Sequence, residues 1–146
     1  MKIYASILMM VIALMMTSCD KGMEMTPESR EARSSVLDVN WKLDQVCTTN
    51  ASGAKEWVPA HQVIPLNFSF YFGSNGMFST LESRPNSEYQ TFRGTYNQIG
   101  TTFFAIDGNV ERFTIQVTKS DPNCLEGTLK YPTRLGVTTY EVRFKR

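Results

Sequence analysis

The fold class expected from this sequence is all-β, an up-and-down antiparallel barrel of about eight strands. Three observations carry that expectation. Apolar and polar residues alternate with a period of two in segment after segment from residue 39 onward. Turn signals recur about every ten residues between 75 and 134. The last segment keeps one apolar face to the end of the chain, with Tyr140, Val142 and Phe144 alternating with Glu141, Arg143 and Lys145.

The 146 residues amount to one domain plus a targeting segment. Residues 1–18 read as a lipoprotein signal peptide. Lys2 gives a positive start, residues 7–16 are an unbroken apolar run, and Thr17-Ser18-Cys19 ends it. A run of about ten residues is too short to span a bilayer and suits the hydrophobic region of a signal peptide. Small residues before the cysteine resemble the lipobox of bacterial lipoproteins, with Met16 where leucine is commonest. That resemblance implies cleavage before Cys19 and a lipid on its sulfur, the membrane being the first expected partner. Ordinary secretory cleavage, leaving Cys19 unmodified, is the alternative. Residues 19–36 read as a lipid-anchored flexible tether, rich in charge and poor in apolar groups. Thr26-Pro27-Glu28 is a helix start with Thr as cap and Pro in the first turn. Nothing apolar repeats at helical spacing behind it, so a helix there is expected to be marginal. As a coil, the stretch reaches about 20–25 Å.

Residues 37–146 are the barrel domain. Val39-Asn40-Trp41-Lys42-Leu43-Asp44-Gln45-Val46 is the first strand, and residues 50–65 read as a loop with one helical turn across an end of the domain. Residues 66–72 place Phe68, Phe70 and Phe72 on one face. Gly73-Ser74-Asn75-Gly76 then turns the chain into residues 77–81, Asn-Gly between apolar runs being a strong hairpin signal. Strands follow over 89–97, 101–106 and 110–119, the last two joined by Asp107-Gly108-Asn109, and then over 124–131 and 137–145. Short links make consecutive strands antiparallel neighbours. A meander leaves two bare edges that closure removes; an open β-sandwich is the competing architecture.

Without residues 1–18, Lys+Arg falls from 15 to 14 against 14 Asp+Glu, and five of the eight methionines leave with the signal. A neutral domain lacks the electrostatic footprint for nucleic acid, so no nucleic-acid partner is expected. If Cys19 carries lipid, Cys47 and Cys124 remain in an oxidising compartment, which suggests a disulfide between them. Two separate buried thiols are the alternative.

No catalytic constellation is apparent, and the expectation is a protein that is not an enzyme. His61 is the only histidine, in a loop beside Pro59, and has no triad partner signalled nearby. No grouping has metal-ligand spacing, so neither a metal nor another cofactor is expected. Glu82 and Glu88 flank a turn, while Glu111, Glu126 and Glu141 alternate with core residues, which suits a solvated outer face. The aromatics are more informative. Phe68, Phe70, Phe72, Phe92, Tyr96 and Phe104 are candidates to line an apolar ligand pocket, or else to fill the barrel; eight strands are wide enough for either.

Four segments in order resemble the lipocalin-like lipoproteins found widely in Bacteroidetes: Trp41-Lys42-Leu43; the Phe-rich strand with Asn75-Gly76-Met77-Phe78; Gly94-Thr95-Tyr96; and the ending Thr139-Tyr140-Glu141-Val142-Arg143-Phe144-Lys145-Arg146. The resemblance covers roughly residues 39–146. In true lipocalins a Gly-x-Trp motif sits on the first strand, and an arginine late in the last strand packs over the Trp. Trp41 matches the Trp and Val39 stands in place of the glycine, so the resemblance implies a barrel-end contact between Trp41 and Arg143 or Arg146. It further implies a non-enzymatic barrel carrying a small hydrophobic ligand. The expected place is the cell envelope, with the outer membrane as the anchoring surface. The rival reading is a protein-interaction lipoprotein, an inhibitor or scaffold acting through loops on a filled barrel, with an envelope protein as partner.

Overall fold

The structure, a computed structural model, describes residues 26–133 and 136–146. The expected signal peptide of residues 1–18 and the expected lipid site at Cys19 lie outside them. Among the described residues one helix, α1 (Pro27–Val36), precedes nine strands: β1 (Asn40–Thr49), β2 (Lys55–Pro59), β3 (Asn67–Phe72), β4 (Met77–Ser83), β5 (Gln90–Ile99), β6 (Thr102–Asp107), β7 (Val110–Ser120), β8 (Cys124–Thr133) and β9 (Gly136–Lys145). A 3-10 turn, Ala60–Gln62, sits between β2 and β3.

Every pairing is antiparallel, and β3 to β9 follow in chain order. Closure comes from β1, which pairs with β9 from Lys42↔Lys145 to Val46↔Val142. Its other side takes β3 at residues 40–42 and β2 at residues 45–49. Eight strands therefore form the barrel and β2 is an additional hairpin partner. The 50–65 segment accordingly contains a strand as well as the expected helical turn. Lys55-Glu56-Trp57-Val58-Pro59 was hidden because it alternates only weakly and ends in proline.

The inward rows are those that period-two alternation marks. Phe68, Phe70 and Phe72 of β3, Phe113 and Ile115 of β7, and Val142 and Phe144 of β9 are buried. On β1 the alternation Val39, Trp41, Leu43 is broken by a bulge between Leu43 and Gln45. The extra residue turns Val46 inward where strict alternation would have placed Gln45. At Gly94 of β5, which faces Phe78 across the β4–β5 ladder, a Cβ would run into the Ile106 carbonyl oxygen and the Phe78 ring. Only a residue without a side chain permits that approach.

The tether expectation is corrected over residues 27–36, which form a helix docked on the barrel. Thr26 caps it, its hydroxyl accepting from the Ser29 amide at 3.2 Å, with Pro27 in the first turn. Ser29, Ala32 and Val36 form its buried stripe. One is polar and one small, so a search for large apolar repeats finds no face there. The Trp41 indole donates from Nε1 to the Val36 carbonyl at 3.1 Å, satisfying one of the carbonyls left open at the helix end. Gln98 donates to the Ser29 carbonyl at 2.8 Å. α1 thereby covers the barrel end at which β1 starts and β3 finishes. The described helix is too short to cross a membrane.

Asp38, with a positive φ of 60°, fastens the link after α1 to the β3–β4 turn. Its carboxylate accepts from the Ser74 amide and the Tyr71 hydroxyl, both at 3.0 Å, and the Ser74 bond in particular holds its pKa below the usual aspartate value.

Two outcomes follow. Gly94→Ala should destabilise the protein by about 1–3 kcal/mol in urea unfolding, the cost of overpacking a closed interior. Acid should loosen the α1 joint. A carboxylate with a depressed folded pKa adds stability that is present above its unfolded value and lost as pH falls through the folded one. Hydrogen exchange at the Ser74 amide should therefore lose protection below about pH 4, and Asp38→Asn should flatten that dependence.

Candidate functional site

The two barrel ends differ. α1 covers one. The other, formed by the start of β3, the end of β4, the end of β8 and the start of β9, holds a cavity of about 440 Å³. Leu43, Phe68, Leu129, Tyr131 and Tyr140 line it from the strands, and Ile64, Pro65 and Leu66 from the segment before β3. The 84–87 turn completes the rim. That segment is pinned by buried Ala60 and Ile64, with Ile64 donating to the Ala60 carbonyl at 2.8 Å.

The floor is solid. Phe68 meets Phe113 edge-on at 5.1 Å and Tyr131 at 5.8 Å between ring centres. Behind it Phe70 packs edge-on against Phe144 at 4.9 Å, and Phe72 stacks on Phe103 at 5.3 Å. Edge-to-face and offset rings at these separations attract one another beyond their area burial. The barrel is thus filled in its middle and hollow at its mouth.

Of the six aromatics expected to line a pocket, Phe68 lines the mouth, while Phe70, Phe72 and Tyr96 belong to the filled interior. Tyr96 donates its hydroxyl to the Gly73 carbonyl at 2.7 Å. Phe92 stands at an adjoining polar recess. Phe104 is the correction: it lies on the outer face, beside Gln116 and Lys130, and Phe103 is the buried ring of β6. In Phe103-Phe104 sequence alone does not say which of two adjacent rings faces in.

The polar recess, of about 350 Å³, shares Leu66, Arg84 and Ser87 with the apolar cavity. Glu82 sits in it, 6% exposed, which corrects the outer-face expectation for this residue. Phe78, Thr80 and Glu82 share the inward face of β4, and that parity was readable. Tyr131 donates its hydroxyl to Glu82 at 2.5 Å, and burial followed by this bond pushes the phenol far above its usual range. Arg112 reaches the same carboxylate oxygen at 3.9 Å and lies over the Phe92 ring at 3.5 Å. Its direction has a local cause. Ala105 pairs with Phe113 but Ile106 pairs with Glu111, so Arg112 is the extra residue of a bulge. A bulge re-aims a side chain, and sequence carries no signal for it.

The expected Trp41–Arg143 contact does not form. Trp41 is fully buried inside the barrel, whereas Arg143 alternates with the inward Val142 and Phe144 and therefore faces out. Arg143 instead lies over Trp57 at 3.9 Å and pairs with Glu126 at 2.6 Å, clamping β2 to β9 across the outside of β1. Helix α1 supplies the partner that Trp41 uses.

Cys47 and Cys124 are free, which corrects the expected bridge. Cys124 pairs with Lys145 of β9, and Cys47, one step past Val46↔Val142, is level with Glu141. They flank β9 on opposite sides and four residues apart along it, on the order of 15 Å between Cα atoms, where a disulfide needs less than about 7 Å. Burial raises the pKa of both thiols, with Glu141 adding to it at Cys47 and Asp121 at Cys124. His61 is exposed on its 3-10 turn.

Comparisons with protein-family models, curated proteins and solved structures found no match.

Denatured protein treated with iodoacetamide in the absence of reductant should gain label at both Cys47 and Cys124. Label at neither, recovered only after reduction, would restore the disulfide.

Proposed function

We propose that this chain is a non-enzymatic envelope lipoprotein of the lipocalin-like type, held to the outer membrane through a lipid on Cys19, whose barrel carries a small, mainly apolar ligand in its mouth. The observation that supports the ligand most is the mouth cavity. Its volume of about 440 Å³ lies within the range of small-molecule sites, and it has the mostly apolar lining with a few convergent polar groups that such sites share. The address rests on the amino-terminal sequence, and the family type rests on the order of the four motifs.

A second reading has its own observation. Phe104, Pro132 and Val137 border a groove on the outer face of the sheet, and Ile99 and Val110 are exposed nearby on adjoining strands. A filled barrel presenting that face to an envelope protein is the alternative.

Native mass spectrometry of the protein from its own host, compared with its denatured mass, tests the first reading. The native ions should carry a reproducible small-molecule excess that denaturation removes. Leu66→Trp, which places an indole in the cavity from its rim, should reduce that excess at least about fivefold. Equal native and denatured masses would overturn the ligand-carrying reading and turn attention to the Phe104 face.

A further inference from the structure

An entirely apolar ligand has no use for the recess beside the cavity, and that recess is costly to build. It buries a carboxylate and brings a guanidinium to within 3.9 Å of it, which is too long for a hydrogen bond. Replacing such a pair by apolar residues is often neutral or stabilising, so stability alone is a weak reason for it. Tyr131 satisfies one oxygen of Glu82. The other oxygen, Oε1, is buried without a partner, and so are Arg112 Nε and the Thr80 hydroxyl oxygen. Two residues that line the recess, Glu82 and Arg112, therefore each keep an unpaired polar atom, one an anionic acceptor and one a cationic donor. Buried polar groups in folded proteins are nearly always paired, and two orphans of opposite kind on residues of one recess point to a group that completes them.

We propose that the recess is a head-group site and that its ligand is amphipathic, with an uncharged hydroxyl or carboxamide head at Glu82 and Arg112 and an apolar body in the adjoining cavity. This rests on the ligand-carrying reading above and names the class of ligand. Continuity supports it: cavity and recess share Leu66, Arg84 and Ser87, and Tyr131 lines the cavity with its ring while its hydroxyl ends on Glu82. Charge selects the head. Two carboxylates, Glu82 and Glu88, stand against two guanidiniums, Arg84 and Arg112, around the recess, so it carries no net charge, and at its buried pair a carboxylate meets Glu82 and an ammonium meets Arg112. Either ion also gives up far more hydration than a neutral group does. A hydroxyl or carboxamide both donates and accepts, so one such group can complement the Glu82 carboxylate and the Arg112 guanidinium without bringing a net charge.

The test is displacement of N-phenyl-1-naphthylamine fluorescence by decanol, decanamide, decanoate and decylammonium. It uses protein purified from cells expressing the full chain. Decanol and decanamide should compete about tenfold better than the two ions, the value of one hydrogen bond to a charged group. That order is read on the unmodified protein and needs no variant to fold. E82Q, which keeps the side chain's shape and leaves Arg112 unopposed, should raise decanoate above decanol by about tenfold. R112Q should favour decylammonium instead. If the probe binds, Leu66→Trp blocks it, and the four head groups compete equally, the head-group site is overturned and the ligand-carrying reading survives. The same holds if E82Q leaves the order unchanged. If the probe does not bind, or binds and Leu66→Trp does not touch it, the cavity reading falls and the head-group site falls with it.

Discussion

Between residues 42 and 46, β1 hydrogen-bonds to β9, and this pairing joins the two ends of the meander. Without it the sheet would have two bare edges and its Phe rows would face solvent on a flat ribbon. With it there is one closed interior, and each strand's inward row meets the rows of strands across the barrel. The ring contacts of Phe68, Phe70 and Phe72 with Phe113 and Phe144 link β3 to β7 and β9 through the interior, where no ladder joins them. Those contacts exist only because the sheet is closed.

Closure also sets how much space is left. An eight-stranded barrel is just wide enough to be filled or to hold one small molecule, and this one does each in a different place. Large rings occupy the middle, and α1 with Trp41 occupies one end. At the other end the inward residues change from Phe78 to Thr80 and Glu82 along β4, and the bulge at Arg112 brings in a cation. Space and polarity therefore coincide at one mouth. The same closure explains why Cys47 and Cys124 stay apart: β9 runs between them, and both lie on its outward face.

The strands were legible because period-two alternation and turn residues are local signals. Asn75-Gly76 and Gly108-Asn109 each mark a turn in the structure. Helix α1 was half legible: Thr26 and Pro27 announced its start, but its buried face of Ser29, Ala32 and Val36 makes sense only against the barrel it covers. Residues whose direction depends on a bulge, Val46 and Arg112, were illegible in principle, since one inserted residue inverts the alternation and sequence does not mark where. Glu82 was legible by parity with Phe78 and Thr80, and was misjudged because a carboxylate near a turn is ordinarily solvated. The Arg143 contact went to Trp57 instead of Trp41 for a reason the sequence did contain, namely that Arg143 alternates with Val142 and Phe144.

The closing pair has a consequence for how the chain reaches this shape. Lys42 and Lys145 face each other across about a hundred residues of chain, and pairings of such long separation are slow to find. The intervening hairpins are local and can form early, and β1 can meet β2 and β3 early as well, but its other side has no partner until β9 has been made. A growing chain therefore keeps an open sheet until β9 is available to close it. Late closure thus delays completion of the fold by topology alone.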